Sequence, residues 1–258
     1  MSQSDRKVVQ QSLKDGVLTI TICRPERRNA IDRATSLALA AALDRLDRDP
    51  AASIGLLTGE GSHFCSGMDL KAFGEGERVE LPERGLAGLT KRPPRKPLIA
   101  AVEGYALAGG FEIALACDLI VASETAVFGL PEVKRGLIAG SGGLLRLGDR
   151  LPRAIAMELA LTGGQIQAEA AHCWGLINRL VLPGEALAAA CLLGREIAMN
   201  APLSLAASKA IIAESARWPE AELWSRQDAI LEGVINSRDA REGARAFVEK
   251  RAPVWGGA

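Results

Sequence analysis

Hydrophobic and polar positions alternate with a period of two along Val17-Leu-Thr-Ile-Thr-Ile-Cys23, the pattern of a half-buried β-strand. Asp15-Gly16 immediately before it is a hairpin-turn pair, so the pattern predicts an opening β-hairpin. Asp32 is placed to cap a helix from Arg33 to about Asp47, whose apolar face is read as Leu37, Ala40, Ala41 and Leu43, with Pro50 beyond its end. Residues 53–58 read as a short buried strand, and the alternation resumes with a strand at 98–102, a helix at about 109–116 and a strand at 119–122. Beyond Pro131 the period becomes mainly helical, with one apolar strand candidate at 176–182 and with Gly163, Gly164 and Gly175 as helix stops. From Glu185 helix follows helix, punctuated by Pro202, Pro219 and the Ser237-Arg238-Asp239 start signal. The charged, glycine- and proline-bearing segment 71–96 keeps no period and is expected to be a mobile loop on the substrate side. A mixed α/β core followed by a helical layer is the resulting expectation.

Composition narrows the class. A chain of 258 residues with 48% hydrophobic composition can bury a sizeable core, so global disorder is excluded. Its 31 basic and 31 acidic residues cancel, leaving no overall field for nucleic acid or an anionic membrane surface. The most apolar stretch, 98–122, is interrupted by Glu103, Glu112 and Asp118 and reads as buried core rather than a membrane span. Residues 1–14 are mainly polar and hold no long apolar run, so no export signal is expected. Cys23, Cys65, Cys117, Cys173 and Cys191 form no CxxC pair, which points away from a metal knuckle and toward small, mostly buried residues in a reducing cytoplasm.

Candidate chemistry gathers at two glycine-bearing turns, His63-Phe-Cys-Ser-Gly-Met-Asp-Leu70 and Ala106-Leu-Ala-Gly-Gly-Phe-Glu-Ile113. The second lies between a predicted strand and an Ala-rich helix, where free backbone N–H groups and the positive dipole end can stabilise an oxyanion. Gly109-Gly110 taken alone serves close packing equally well. Glu112 sits among Phe111, Ile113, Ala114, Leu115 and Ala116, where a carboxylate is expensive unless it has a partner or a purpose. Its plainer reading is an acidic residue at a helix start, although no Ser or Thr precedes it by three to complete a capping box. Glu132 follows Pro131 near another predicted helix start, a place where acidic residues favour the dipole.

Together with Arg24-Pro-Glu-Arg-Arg-Asn-Ala-Ile31, Phe128-Gly-Leu-Pro-Glu132, Ala139-Gly-Ser-Gly-Gly143 and Ala246-Phe-Val-Glu-Lys-Arg251, these turns resemble the successive motifs of the enoyl-CoA hydratase (crotonase) family over nearly the whole chain. The resemblance implies an α/β fold, a crotonase-like spiral of ββα units with a C-terminal helical trimerisation region, divided here as a catalytic core at 1–195 and an oligomerisation region at 196–258. It implies that the N–H groups of Met68 and Gly109 form an oxyanion hole around a thioester carbonyl. Glu112 and Glu132 then match the two carboxylates of true hydratases, and the family's coenzyme A contacts fall on Arg28, Ala30, Ser66, Asp69, Leu70, Lys71 and Gly140. Phe247 and Lys250 would reach the site from a neighbouring subunit of a trimer or dimer of trimers. Coenzyme A is part of the substrate in this reading, and neither a separate cofactor nor a metal is called for.

The two-glutamate pattern favours reversible hydration of a 2-enoyl-CoA to a 3-hydroxyacyl-CoA. Double-bond isomerisation and dehydration of a specialised hydroxyacyl-CoA are the nearest alternatives, and a non-catalytic acyl-CoA binder is the non-enzyme one. A serine peptidase is disfavoured because only His63 and His172 are available and neither lies in a nucleophile-base arrangement. Nucleotide binding lacks both GxxxxGK[ST] and a complete GxGxxG.

Overall fold

The computed structural model describes residues 7–257, so Met1 to Arg6 of the polar N-terminal stretch lie outside the described residues. Strands β1 (Val9–Lys14) and β2 (Val17–Ile22) form the expected antiparallel hairpin, and both turn residues, Asp15 and Gly16, take positive φ. Helix α1 (Arg33–Arg48) begins where Asp32 accepts a hydrogen bond from the Thr35 N–H at 2.8 Å. Its buried face includes Leu39, Ala40, Ala42, Leu43 and Leu46, so Ala40 and Leu43 lie inside as expected, whereas Leu37 is 51% exposed and Ala41 lies outside. The expected face is displaced in part because the alanine tract gives no phase, and Leu39, Leu43 and Leu46, at spacings of four and three, decide it.

Strand β3 (Ile54–Gly59) pairs parallel to β2, and a short helix α2 (Leu70–Gly74) follows, capped by Asp69. Next come β4 (Leu98–Val102), β5 (Tyr105–Leu107) and α3 (Gly109–Ala116), and then β6 (Leu119–Ser123), β7 (Val127–Gly129), a 3-10 turn at Pro131–Arg135 and α4 (Gly143–Arg150). Helix α5 (Arg153–Thr162), β8 (Gln165–Gln167), α6 (Ala168–Cys173), β9 (Arg179–Val181) and helices α7 (Ala186–Ala198), α8 (Pro202–Glu214), α9 (Leu223–Ile235) and α10 (Arg238–Glu249) complete the described chain. The strand expected at 176–182 is confined to β9, because Leu176 and Ile177 turn into the core instead of pairing.

Six strands form one sheet in the order β1-β2-β3-β4-β6-β9, parallel except for the opening hairpin. Strands β5, β7 and β8 form a second sheet, which single bridges between Cys65 and Ala106 and between Ile31 and Met68 extend toward the N-terminus. Each turn of chain therefore gives one strand to the large sheet, a shorter extended piece to the small one, and then a helix. The period-two alternation explains the layering: Leu98, Ala100 and Val102 of β4 face the main core, while Ile99 and Ala101 join Val17, Ile54, Leu56 and Val121 under Ala190 of α7.

Segment 71–96 is irregular as expected, but it is anchored rather than loose. Val79, Leu86, Ala87 and Leu89 are buried in the main core, the Ala87 N–H donates to Ser36 Oγ at 3.3 Å, and Arg84 pairs with Asp44. Helices α8 and α9 bury none of their residues within the chain. Among the described residues, no helix is long and apolar enough to cross a membrane.

Candidate active site

The bridge between Ile31 and Met68 uses the carbonyl of Gly67 and the N–H of Asp69, each 2.8 Å from its Ile31 partner. In a parallel pairing this leaves the N–H of Met68 pointing the other way. On that side lies the start of α3, where a Cβ added to Gly109 would stand 3.4 Å from the Met68 nitrogen and one added to Gly67 would stand 3.0 Å from the Gly109 nitrogen. Ala108, the residue before the helix, is held at φ 52° and ψ −129° by its N–H bond to the Gly129 carbonyl at 2.9 Å. The Gly109 N–H opens the helix, where no intrahelical acceptor precedes it. Two backbone donors from successive turns of the spiral are thus brought side by side. Gly110 is held by packing, because a Cβ there would overlap the Cys65 carbonyl oxygen at 2.1 Å. The packing reading of the glycine pair thus applies at Gly110, while the Gly109 N–H stands beside that of Met68.

Glu112 lies one turn into α3 and is only 3% exposed. Its Oε1 accepts the Gly143 N–H at 2.8 Å, and the Ser141 N–H also bonds the carboxyl group. A Cβ at Gly143 would stand 2.7 Å from Glu112 Cγ, so the loop before α4 closes on the carboxylate only because glycine stands there. Burial is the largest influence and pushes the carboxyl group up to about 7, the Gly143 bond opposes it, and the charge of Glu132 reinforces it. Glu132 itself is raised mainly by burial, with its own backbone N–H and Arg135 acting in the opposite sense. Its Oε2 is buried and has no hydrogen-bond partner among the described residues. Two interacting carboxyl groups, both raised above ordinary carboxylates and one with an unsatisfied oxygen, are equipped to exchange protons with a bound molecule.

The profile of the enoyl-CoA hydratase/isomerase family matches residues 12–258. The chain belongs to this family. Among solved structures, an enoyl-CoA hydratase from Mycobacterium marinum superposes with a TM-score of 0.96 at 56% identity, covering 98% of this chain and all (100%) of that one. A carnitinyl-CoA hydratase from Mycobacterium avium is similar at 46% identity and a TM-score of 0.79, with 98% and 100% of the two chains covered. A carnitinyl-CoA dehydratase from Salmonella typhi is 44% identical over 249 residues, 93% of this chain and 95% of its own. The architecture described above is accordingly the crotonase spiral, and the protein is an enzyme of the crotonase family.

Within this crotonase fold, the positions expected from the sequence to contact coenzyme A fall into three groups. Arg28, Ala30 and Ser66 lie together: Arg28 takes a left-handed conformation, its carbonyl accepts the Ser66 N–H at 3.0 Å, and its guanidinium stands 5.8 Å from the Tyr105 ring centre. Leu70 and Lys71 are exposed beside them at the start of α2, and Gly140 is exposed on the loop before α4. Asp69 is already engaged, capping α2 and pairing with Arg24 at 3.0 Å, which draws its carboxyl below the usual range despite burial. Phe247 and Lys250 stand exposed at the end of α10, and no hydrogen bond among the described residues links them to Glu112 or Arg28.

Sequence reasoning missed the residues that brace the site. Asn29, buried at positive φ, donates to the carbonyls of Glu60 at 3.0 Å and His63 at 2.7 Å and so fastens the first motif to the second. An Asn inside an Arg-rich motif is the usable signal, because Asn tolerates the left-handed region and can bond locally. Arg24 bonds the Ala30 carbonyl and pairs with both Asp32 and Asp69. His63 stacks on Tyr105 and accepts its N–H at 3.3 Å, while His172 pairs with the Ile177 carbonyl at 2.9 Å. Neither histidine is bonded to a serine among the described residues, so peptidase chemistry finds no geometry here.

Proposed function

We propose that this crotonase-family enzyme is an enoyl-CoA hydratase, adding water reversibly across the double bond of a 2-enoyl-CoA. The observation that carries the reading is the coupled pair Glu112 and Glu132, both raised above ordinary carboxylates, the second with a buried oxygen lacking a partner. In the proposed mechanism the thioester carbonyl sits between the N–H groups of Met68 and Gly109. As water attacks C3, negative charge moves to that oxygen, where donors already in place stabilise it without reorganisation. One carboxylate takes a proton from the attacking water while the other, protonated, delivers one to C2. Dehydration runs through the same groups in reverse.

The family's coenzyme A contacts on Arg28, Ala30, Ser66, Leu70, Lys71 and Gly140 are carried over in this reading, and coenzyme A enters as part of the substrate with no further cofactor. Five free cysteines suit a cytoplasmic setting. A second reading, hydration and dehydration of a carnitinyl-type thioester, is favoured by the named relatives from Salmonella typhi and Mycobacterium avium.

Initial rates on crotonyl-CoA, a long-chain 2-enoyl-CoA, a 3-enoyl-CoA and trimethylammonio-2-butenoyl-CoA separate the readings. Hydration of the unsubstituted 2-enoyl thioesters, with deuterium from heavy water entering at C2, is the expected result. Preference for the trimethylammonio substrate selects the second reading, and isomerisation of the 3-enoyl substrate without net water addition overturns both.

A further inference from the structure

Ser141 is shared between two carboxyl groups. Its backbone N–H bonds Glu112, and its hydroxyl donates to Glu80 Oε1. The serine is buried, and Glu80 belongs to the anchored 71–96 segment, outside every motif that carries the resemblance. Next to Ser141, Gly142 takes positive φ and its carbonyl accepts from Arg146 at 3.3 Å, and Arg146 also donates to the Thr90 carbonyl at 2.7 Å. The strap that presents the Ser141 and Gly143 N–H groups to Glu112 is therefore moored to segment 71–96 at two points, by Ser141 to Glu80 and by Arg146 to Thr90.

We infer that Glu80 is a positioning residue for the proton-transfer step, holding the N–H cradle of Glu112 in place through Ser141. Its carboxylate charge also favours the protonated form of Glu112. The inference rests on the reading of Glu112 as a proton-transfer group. The charged groups acting on Glu112 are Glu132 from the turn before α4, Glu80 from segment 71–96 and Arg146 from α4. Of the two like charges, Glu80 is the one tied to Glu112 through a single hydrogen-bonded residue.

The two parts of the role are separable. Glu80→Gln keeps an oxygen to accept the Ser141 hydroxyl but removes the charge, whereas Ser141→Ala keeps both carboxylates and the backbone N–H but removes the tether. Each is assayed for kcat and KM across pH on crotonyl-CoA, or on trimethylammonio-2-butenoyl-CoA if that is turned over faster, beside Glu112→Gln. Glu80→Gln is expected to shift the kcat limb belonging to Glu112 toward acid by about half a pH unit, with near-normal kcat at the optimum. Ser141→Ala is expected to lower kcat by roughly five- to tenfold with KM within about twofold. A merely structural Glu80 would change stability and leave the limb where it is. A Glu80→Gln profile superimposable on the native one, with Glu112→Gln inactive, overturns the inference alone. An active Glu112→Gln removes the reading beneath it. Should Glu80→Gln fail to fold, an unchanged kcat in Ser141→Ala overturns the inference by itself.

Discussion

Glu112 holds a carboxyl group where water cannot solvate its charge, and that has consequences for both stability and rate. Its folded value of about 7 lies above that of an unfolded glutamate, so the folded state binds the proton more tightly. At pH values below the unfolded pKa both states are protonated and the group costs nothing. As pH rises toward 7 the unfolded chain ionises first and stability falls, and above 7 the cost is constant. Between about pH 4 and pH 8 the native protein is therefore expected to lose about 3 kcal/mol relative to Glu112→Gln, read from denaturant midpoints of the two proteins. Parallel curves across that range would contradict the raised value. Activity moves the other way: Glu112→Gln and Glu132→Gln are each expected to slow hydration by roughly two to four powers of ten while coenzyme A binding stays near normal. Because the two groups act as a unit, the double variant is expected to lose far less than the product of the single losses, and strict multiplicativity in kcat would separate their roles.

At the scale of elements, the two glycines that open α3 are distinguished by what a methyl group would strike. At Gly109 the obstacle is Leu86 Cδ2 at 2.4 Å, the far end of a flexible side chain, whereas at Gly110 it is the Cys65 backbone carbonyl. Gly109→Ala is thus expected to fold and to lose roughly a hundredfold or more in kcat as the donor pair is crowded. Gly110→Ala is expected to lose about 3 kcal/mol of stability, because backbone must move. Met68→Leu leaves the N–H in place and should be tolerated, while Met68→Pro removes it. Comparing thermal midpoints with single-turnover rates checks all four, and a fully active, folded Met68→Pro would end the oxyanion assignment.

The elements themselves were legible to differing depths. The hairpin, the Asp32 cap and the 109–116 helix were readable because each is set by local chemistry: a turn pair, a cap, a glycine start. The buried face of α1 is legible only in part, at Ala40 and Leu43, because alanines carry little phase information, and segment 71–96 reads as loose because its anchors, Ser36 and Asp44, lie on another element. The same reason hid Glu80 and Ser141. A bond between residues 61 positions apart leaves no periodic trace, whereas Glu112 announced itself by standing as a charge in an apolar run.

For the whole molecule, the C-terminal helices leave a question of assembly. Trp224, Leu231 and Ile235 are exposed on α9 and recur at helical spacing as a single stripe, and Phe247 at the end of α10 is 86% exposed. Apolar surface gathered in this way on a chain with no net charge is costly to leave in water. The expected state is a trimer or a dimer of trimers, in which these helices cover one another and the Phe247 and Lys250 of one subunit reach the coenzyme A site of the next. Light scattering on the native protein checks the mass. Leu231→Glu with Ile235→Glu places two charges in the stripe and is expected to release monomers, while Lys250→Ala should keep the assembly and weaken coenzyme A binding by about three- to tenfold, measured calorimetrically. The two effects must be linked: if the neighbour completes the site, the charged pair of substitutions lowers coenzyme A affinity at least as much as Lys250→Ala does, although it touches no residue of the site. A monomer that binds coenzyme A as tightly as the native protein would show that each chain carries a complete site of its own.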